Sequence, residues 1–130
     1  VSAKAVDICR EKFRDDPGKT FALVRDYDGK QADAALSLDV LFHLVEDDVF
    51  ENYMQTLFSA GKKLVVIYAS NTDVQDIPQP PHVRHRAFSA WVDEHQRNWM
   101  LDREIENRIP FDAESGLGSP ARFFVYIPAT

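Results

Sequence analysis

The sequence predicts an α/β fold, and three features of residues 34–68 carry that expectation. Val49, Phe50, Tyr53, Met54, Leu57 and Phe58 recur at three- and four-residue steps, so a helix here has one apolar face. Its ends are marked: Glu46, Asp47 and Asp48 suit the positive end of the helix dipole, Gly61 stops the helix, and Lys62 and Lys63 stand at the negative end. Apolar runs flank the helix on both sides. The second, Leu64-Val65-Val66-Ile67-Tyr68, lacks polar alternation, as expected of a strand covered on both faces in a parallel sheet. Strand, helix and strand make a βαβ unit, and such sheets bind ligands beyond the carboxyl ends of their strands.

The other elements follow in order. Ser2 is placed to cap a first helix that carries Ala5, Cys9 and Phe13 on one stripe. Asp15-Asp16-Pro17-Gly18 breaks the chain, and residues 20–24 read as a short buried strand ending at Arg25-Asp26-Tyr27-Asp28-Gly29. About seven residues separate this run from the strand that starts near Ala34, fewer than a parallel crossover usually takes. The link reads as an extended loop, because residues 26–33 hold no dipeptide placed for a tight hairpin; an antiparallel pair is the alternative. After Tyr68, the residues Ser70, Asn71, Asp73, Pro78, Pro80 and Pro81 make 69–81 a long loop at a strand's carboxyl end. A helix at 87–97 places Phe88, Trp91, Val92 and His95 on one face, and residues 98–109 read as a half-exposed strand. Gly116, Gly118 and Pro120 turn the chain into a last strand at 122–127, antiparallel to its predecessor. Trp91 and Trp99 read as core or interface anchors.

Composition narrows the partners. A chain of 130 residues fits one domain, and its formal charge of -6 repels nucleic-acid phosphates and anionic membranes. Cys9 is the only cysteine, which rules out an internal disulfide or a multi-cysteine metal site, and it reads as a buried small hydrophobe. No apolar run approaches the roughly 20 residues that cross a bilayer, and no signal-peptide pattern opens the chain, so a cytoplasmic protein without a membrane partner is expected. Val1 stands where an initiator methionine would, and the chain reads as cut into, with an upstream strand removed.

The run Asp33-Ala34-Ala35-Leu36-Ser37-Leu38-Asp39-Val40-Leu41-Phe42-His43-Leu44 resembles the fourth strand and following turn of class I S-adenosylmethionine-dependent methyltransferases, where an aspartate opens the strand and a His-Leu pair closes the turn. Residues 49–60 are similar to that family's next helix, 64–68 to its fifth strand, 87–97 to the helix after it, and 98–109 with 122–127 to its terminal antiparallel pair. Residues 1–6 resemble the turn after the second strand, and 21–26 the third strand. The resemblance implies one partial, N-terminally truncated domain over 1–130: a Rossmann-like, mostly parallel sheet with a C-terminal antiparallel strand pair. It departs from the family in lacking the first strand and the glycine-rich turn, since no G-x-G here follows a strand-like run and opens a helix. The chain alone is therefore expected to bind the donor weakly or not at all.

The resemblance implies S-adenosylmethionine as cofactor and methyl transfer to a small-molecule acceptor. It places the donor against Asp26 and Tyr27 at the adenine, and against Ser37, Leu38 and Asp39 at the methionine portion. The bland readings are an Asx-type turn for Asp26 and a turn cap for Asp39. Ser37 and Asp39 alternate, so one of them should reach the crevice. His43 is the candidate base, against the reading of a packed turn histidine. Tyr68, Ser70 and Asn71 are expected to face the acceptor with His82, Arg84 and Arg86 of the run His82-Val83-Arg84-His85-Arg86. That run sets cations before a helix N-terminus, so an anion should offset them: an acidic substrate, or Asp73, Asp76 or Asp93. His82 and His85 lack a third ligand, and no metal is expected. The alternative function is a catalytically silent Rossmann-like module for interaction or oligomerisation. In the strand order that the resemblance implies, truncation leaves the strand at 34–39 with an unpaired apolar edge, so either the strand at 21–24 shifts into the vacancy or, as favoured here, two copies pair as a homodimer.

Overall fold

The computed structural model describes residues 2–75 and 80–130. Val1, Asp76 and Pro78 lie outside the described residues. The chain forms two compact units, Val1–Lys30 and Gln31–Thr130.

The first unit opens with helix α1, Ala3–Lys12. Ser2 occupies the cap position, but its carbonyl rather than its hydroxyl does the capping, accepting from the amides of Ala5 at 3.0 Å and Val6 at 3.3 Å. Val6 is the buried residue of α1; Cys9 is half-buried rather than buried, and Ala5 is exposed. The break after α1 forms as expected, with Asp16 Oδ1 accepting from the Gly18 amide at 3.0 Å. The strand expected at 20–24 does not form. A strand requires a partner for its amides and carbonyls, and four apolar residues after a threonine do not make a ladder without one. The chain instead turns through a 3-10 segment at Val24–Asp26, the amides of Asp26 and Tyr27 donating back to Leu23 and Val24.

The second unit is a four-stranded mixed sheet with two helices. Its elements are β1 (Ala32–Leu38), α2 (Asp47–Ala60), β2 (Gly61–Ala69), α3 (Phe88–His95), β3 (Trp99–Ile105) and β4 (Arg122–Pro128), and the strand order is β1-β2-β4-β3. β1 and β2 run parallel, with Ser37 opposite Ile67 and Leu38 opposite Tyr68; β4 runs antiparallel to both β2 and β3. The βαβ unit read from the periodicity is thus present, and the terminal strands are antiparallel neighbours.

α2 passes into β2 without a loop. Gly61 caps the helix at φ -88° and begins the strand, so a left-handed conformation is not why glycine stands here. Space is the reason: a Cβ at this position would sit 2.8 Å from the Leu64 carbonyl oxygen and 3.0 Å from Val65 Cγ2.

One face of the sheet is dry. Ala35, Val65, Ile67, Phe124 and Tyr126 pack against Phe50, Met54, Leu57 and Phe58 of α2 and against Phe88 and Val92 of α3. The expectation that β2 is covered on both faces is corrected: Val65, Ile67 and Ala69 are buried, whereas Leu64, Val66 and Tyr68 are half-buried on the face that also carries exposed Leu36 and Leu38. Trp91 and Trp99 do act as core anchors, meeting Phe50 and Phe58 edge-on at centroid distances of 6.0 and 5.7 Å.

α3 has only eight residues, so its attachment depends on few side chains. Phe88 is 1% exposed and meets the Phe124 ring edge-on at 4.9 Å. Phe88→Ala should cost about 3–5 kcal/mol of unfolding free energy in urea titration. A loss below about 1 kcal/mol would show that α3 is anchored elsewhere.

Candidate functional site

Parallel pairing brings the carboxyl ends of β1 and β2 level, and the first residues beyond them, Asp39 and Ser70, line one cavity of about 150 Å³. Three other passages line it: Phe42 from the 3-10 turn Leu41–His43, Val83 and His85 from the loop before α3, and Ser119, Pro120 and Ala121 from the approach to β4. β4 is antiparallel to β2, so its start lies at the same end of the sheet as the carboxyl end of β2. The approach is fixed by Gly118, whose φ of +85° and bare Cα let the backbone bridge between Pro110 and Ser119 form; a Cβ would lie 2.1 Å from the Pro110 carbonyl oxygen.

Asp39 leaves β1 at φ 57°, the one non-glycine residue with positive φ among those described. Its amide still donates to the Tyr68 carbonyl at 3.0 Å, extending the β1–β2 ladder by one bond. Ser37 does not reach the crevice. It is 1% exposed and its hydroxyl accepts from Tyr53 Oη at 3.0 Å, because the face of β1 that carries it is the one α2 covers. Burial in turn pushes the Tyr53 phenol above its ordinary pKa, against the bond to Ser37, which lowers it. Leu38 and Tyr68 are register partners on the opposite face; the Tyr68 ring packs on Phe123 at 4.5 Å and its hydroxyl accepts from Asn107.

The loop after β2 is tied down by its own polar groups. Asn71 Oδ1 accepts from the Ser89 amide at 3.2 Å, Asn71 Nδ2 donates to Ser89 Oγ at 2.7 Å, and Asp73 Oδ1 accepts from the Ala87 amide at 2.9 Å. These bonds satisfy first-turn amides of α3. Gln75 pairs with the His85 backbone in both directions, at 2.9 and 3.2 Å. The side chains of the following run then alternate. Val83 and His85 line the cavity, and the ring Nδ1 of His85 lies 2.5 Å from Ser70 Oγ. Arg84 and Arg86 turn the other way, onto Asp47 at the start of α2, at 2.9 and 2.6 Å.

Asp47 is therefore the anion that Arg84 and Arg86 meet, rather than Asp73 or Asp93; Asp76 lies outside the described residues. Arg86, its side chain only 11% exposed, also donates to the carbonyls of Leu44 at 3.1 Å and Val45 at 2.6 Å, and its guanidinium lies 4.6 Å from the Phe50 ring centroid. His43 is exposed; its Nδ1 lies 3.2 Å from the His82 carbonyl oxygen, and the two imidazoles stack at 5.8 Å. In the first unit, Asp26 is exposed beside Arg25 at 3.9 Å, and the Tyr27 hydroxyl donates to the Lys30 carbonyl. Sequence reasoning named His85 only within the run expected to face the acceptor and as an insufficient metal ligand, and it did not single out Phe42 or residues 119–121 as site residues. Alternation in V-R-H-R, which separates the valine and histidine from the arginines, is the signal that points to His85.

The Arg86 and Asp47 contacts have measurable consequences. Arg86→Ala should lower unfolding free energy by about 2–4 kcal/mol, because it strips donors from partly buried carbonyls, and Arg86→Lys should recover only part, since one ammonium lacks the guanidinium fork. The hydrogen bond from Arg86, then the charge of Arg84, hold the Asp47 carboxyl below its ordinary pKa. A folded value below the unfolded one means that the stabilisation is present above the unfolded pKa and is lost as pH falls through the folded value. Thermal melts of the native chain and of Asp47→Asn should accordingly differ at neutral pH and converge in acid, below the ordinary carboxylate range; a constant offset down to acid would remove this account of the pair.

No protein-family model matches the sequence, and no curated protein does either. Solved structures do match the fold. The chain is similar to the methyltransferase domain of bacterial CtHen1-C, at 17% identity and TM-score 0.68, over 100% of this chain and 75% of that one. A second structure of that domain, from CtHen1-CN, aligns at 18% identity and TM-score 0.64, over 98% of this chain and 74% of the other. Mitomycin 7-O-methyltransferase MmcR aligns at 15% identity and TM-score 0.58, over 98% of this chain and 40% of its own. Likeness at these identities speaks for architecture, and the α/β architecture of this chain, with its mixed sheet, is that of methyltransferase domains.

Proposed function

We propose that this chain belongs to an S-adenosylmethionine-dependent methyltransferase that acts on a small molecule, with the cavity at the carboxyl ends of β1 and β2 as its reaction site. The observation that carries this reading is Asp39. It stands at the strand end where open α/β sheets hold their ligands, in a left-handed conformation that costs an ordinary residue roughly 1–2 kcal/mol. It has no ion-pair partner among the described residues. A lone carboxylate lining a cavity favours a cationic ligand, and the donor's sulfonium is one. The residues present fit the reacting end of that donor: the exposed Asp39 would face its cationic portion at the carboxyl end of β1. The donor, when bound, supplies a methyl already activated for displacement. What remains for the chain is to place an acceptor, which fixed side chains in a small cavity do.

S-adenosylhomocysteine titrated into the chain tests this reading. At millimolar concentration it should shift the amides of Asp39, Val40 and Ser70 in two-dimensional NMR, with an affinity weaker than micromolar, and Asp39→Ala should remove the shifts. Absence of any saturable shift at the β1 and β2 carboxyl ends would sink the assignment. Sub-micromolar binding would show that these residues carry a complete donor site.

A further inference from the structure

We infer that the cavity between Asp39, Phe42, Ser70 and His85 binds a small, ring-sized hydroxyl compound, and that His85, positioned by Ser70, takes the hydroxyl's proton. The binding half stands on the cavity itself, and the catalytic half rests on the methyl-transfer reading. Size and lining come first. Phe42, Val83, Pro120 and Ala121 give apolar walls to about 150 Å³ of space, a volume that holds one benzene-sized ring. The polar groups are few and grouped, as in sites that orient a ligand rather than merely enclose it.

The imidazole is held at both ends. Its backbone is clamped by Gln75 in both directions, and its Nδ1 lies 2.5 Å from the hydroxyl of Ser70, a residue only 5% exposed. Because Nδ1 is engaged, Nε2 is the nitrogen left for a ligand, and it has no hydrogen-bond partner among the described residues. When Nδ1–H donates to Ser70 Oγ, Nε2 carries the free lone pair and is a base. His43 lies outside this arrangement, with its own Nδ1 on the His82 carbonyl. His85 therefore replaces it as the candidate base.

The chemistry selects the acceptor. A neutral amine brings its own lone pair, whereas a hydroxyl is a poor nucleophile until a base within hydrogen-bond reach removes its proton. The acceptor oxygen gives its proton to Nε2 of His85 and forms the new O–CH3 bond with the electron pair so freed. The pair of the broken carbon–sulfur bond stays on sulfur as a neutral thioether, and the imidazolium returns its proton to water.

Phenol is the probe, used on the 130-residue chain. Long-range proton–nitrogen NMR above the imidazole titration range should show His85 protonated at Nδ1 and bare at Nε2. Phenol should shift Nε2 and the methyls of Val83 and Ala121 saturably while leaving Ile105 on β3 unmoved. Ser70→Ala should spread the proton over both ring nitrogens and weaken phenol about three- to tenfold. His85→Gln should abolish the preference for phenol over benzene. A protonated Nε2 in the unsubstituted chain, absence of phenol shifts in the cavity, or equal binding of benzene and phenol overturns the inference, and none of these needs a variant to fold. The S-adenosylhomocysteine titration reads independently: its failure beside the expected phenol response removes the methyl-transfer role and leaves the hydroxyl site standing.

Discussion

Register between β1 and β2 decides where the rest of the second unit can do chemistry. With Leu38 opposite Tyr68 and the Asp39 amide bonded to the Tyr68 carbonyl, the two parallel strands end at one level, and whatever follows each strand must emerge at the same place. Antiparallel pairing would have sent one of these exits to the far end of the sheet. A parallel pair in turn demands a crossover, which α2 supplies, packed on the sheet through Phe50, Met54, Leu57 and Phe58. Gly61 then returns the chain into β2 with no loop to adjust, so the helix fixes the phase of the strand directly. Site position is thus set by backbone pairing and core packing before any polar side chain is considered.

The polar side chains then fix the loop that lines the cavity. A cationic segment next to the start of a helix is unfavourable unless anions or carbonyls receive it. Here Asp47 and the carbonyls of Leu44 and Val45 receive it, and Arg86 lies over the Phe50 ring at the edge of the core. Most of these donors are used internally, so the run is not a free basic patch despite its composition. The ion pairs to Asp47 are exposed on its side and contribute little by themselves; the carbonyl contacts of the nearly buried guanidinium carry more. Because the side chains of this segment alternate, fixing Arg84 and Arg86 on one side also fixes Val83 and His85 on the other. The clamp that satisfies the charges is therefore what aims the histidine.

Much of this was legible in the sequence where the determinants are local. α2 carries its own period and its own charged ends, and the apolar runs beside it found partners. Residues 20–24 had a strand's composition but no partner for their amides, and pairing is a property of two segments. Alternation said that Ser37 or Asp39 would face the crevice. Which one depended on the face that α2 covers, and the left-handed step at Asp39 ended the alternation just where it would have been used. The offsetting anion was required by charge, yet Asp47 lies 37 and 39 positions from its two arginines, beyond any reading of spacing. The bond between Ser70 and His85 spans 15 positions across a loop, and no period of helix or strand encodes it.

Strain at Asp39 links the fold to its proposed chemistry. A residue at φ 57° persists only where its neighbours over-determine it. On one side its amide is part of the β1–β2 ladder, and on the other Leu41 is 2% exposed in the core, so the chain must turn sharply between a fixed strand and a fixed core residue. Aspartate tolerates this conformation better than most residues, and glycine would tolerate it at less cost. Glycine would also delete the carboxylate from a cavity whose walls are otherwise mainly apolar or hydroxylic. The stability given up at this position is modest, and what it keeps is a carboxylate beside the same small cavity as an oriented imidazole. That combination suits the proposed site, which would hold a cation and deprotonate its neighbour, and backbone packing accounts for the turn at Asp39 but not for the carboxylate.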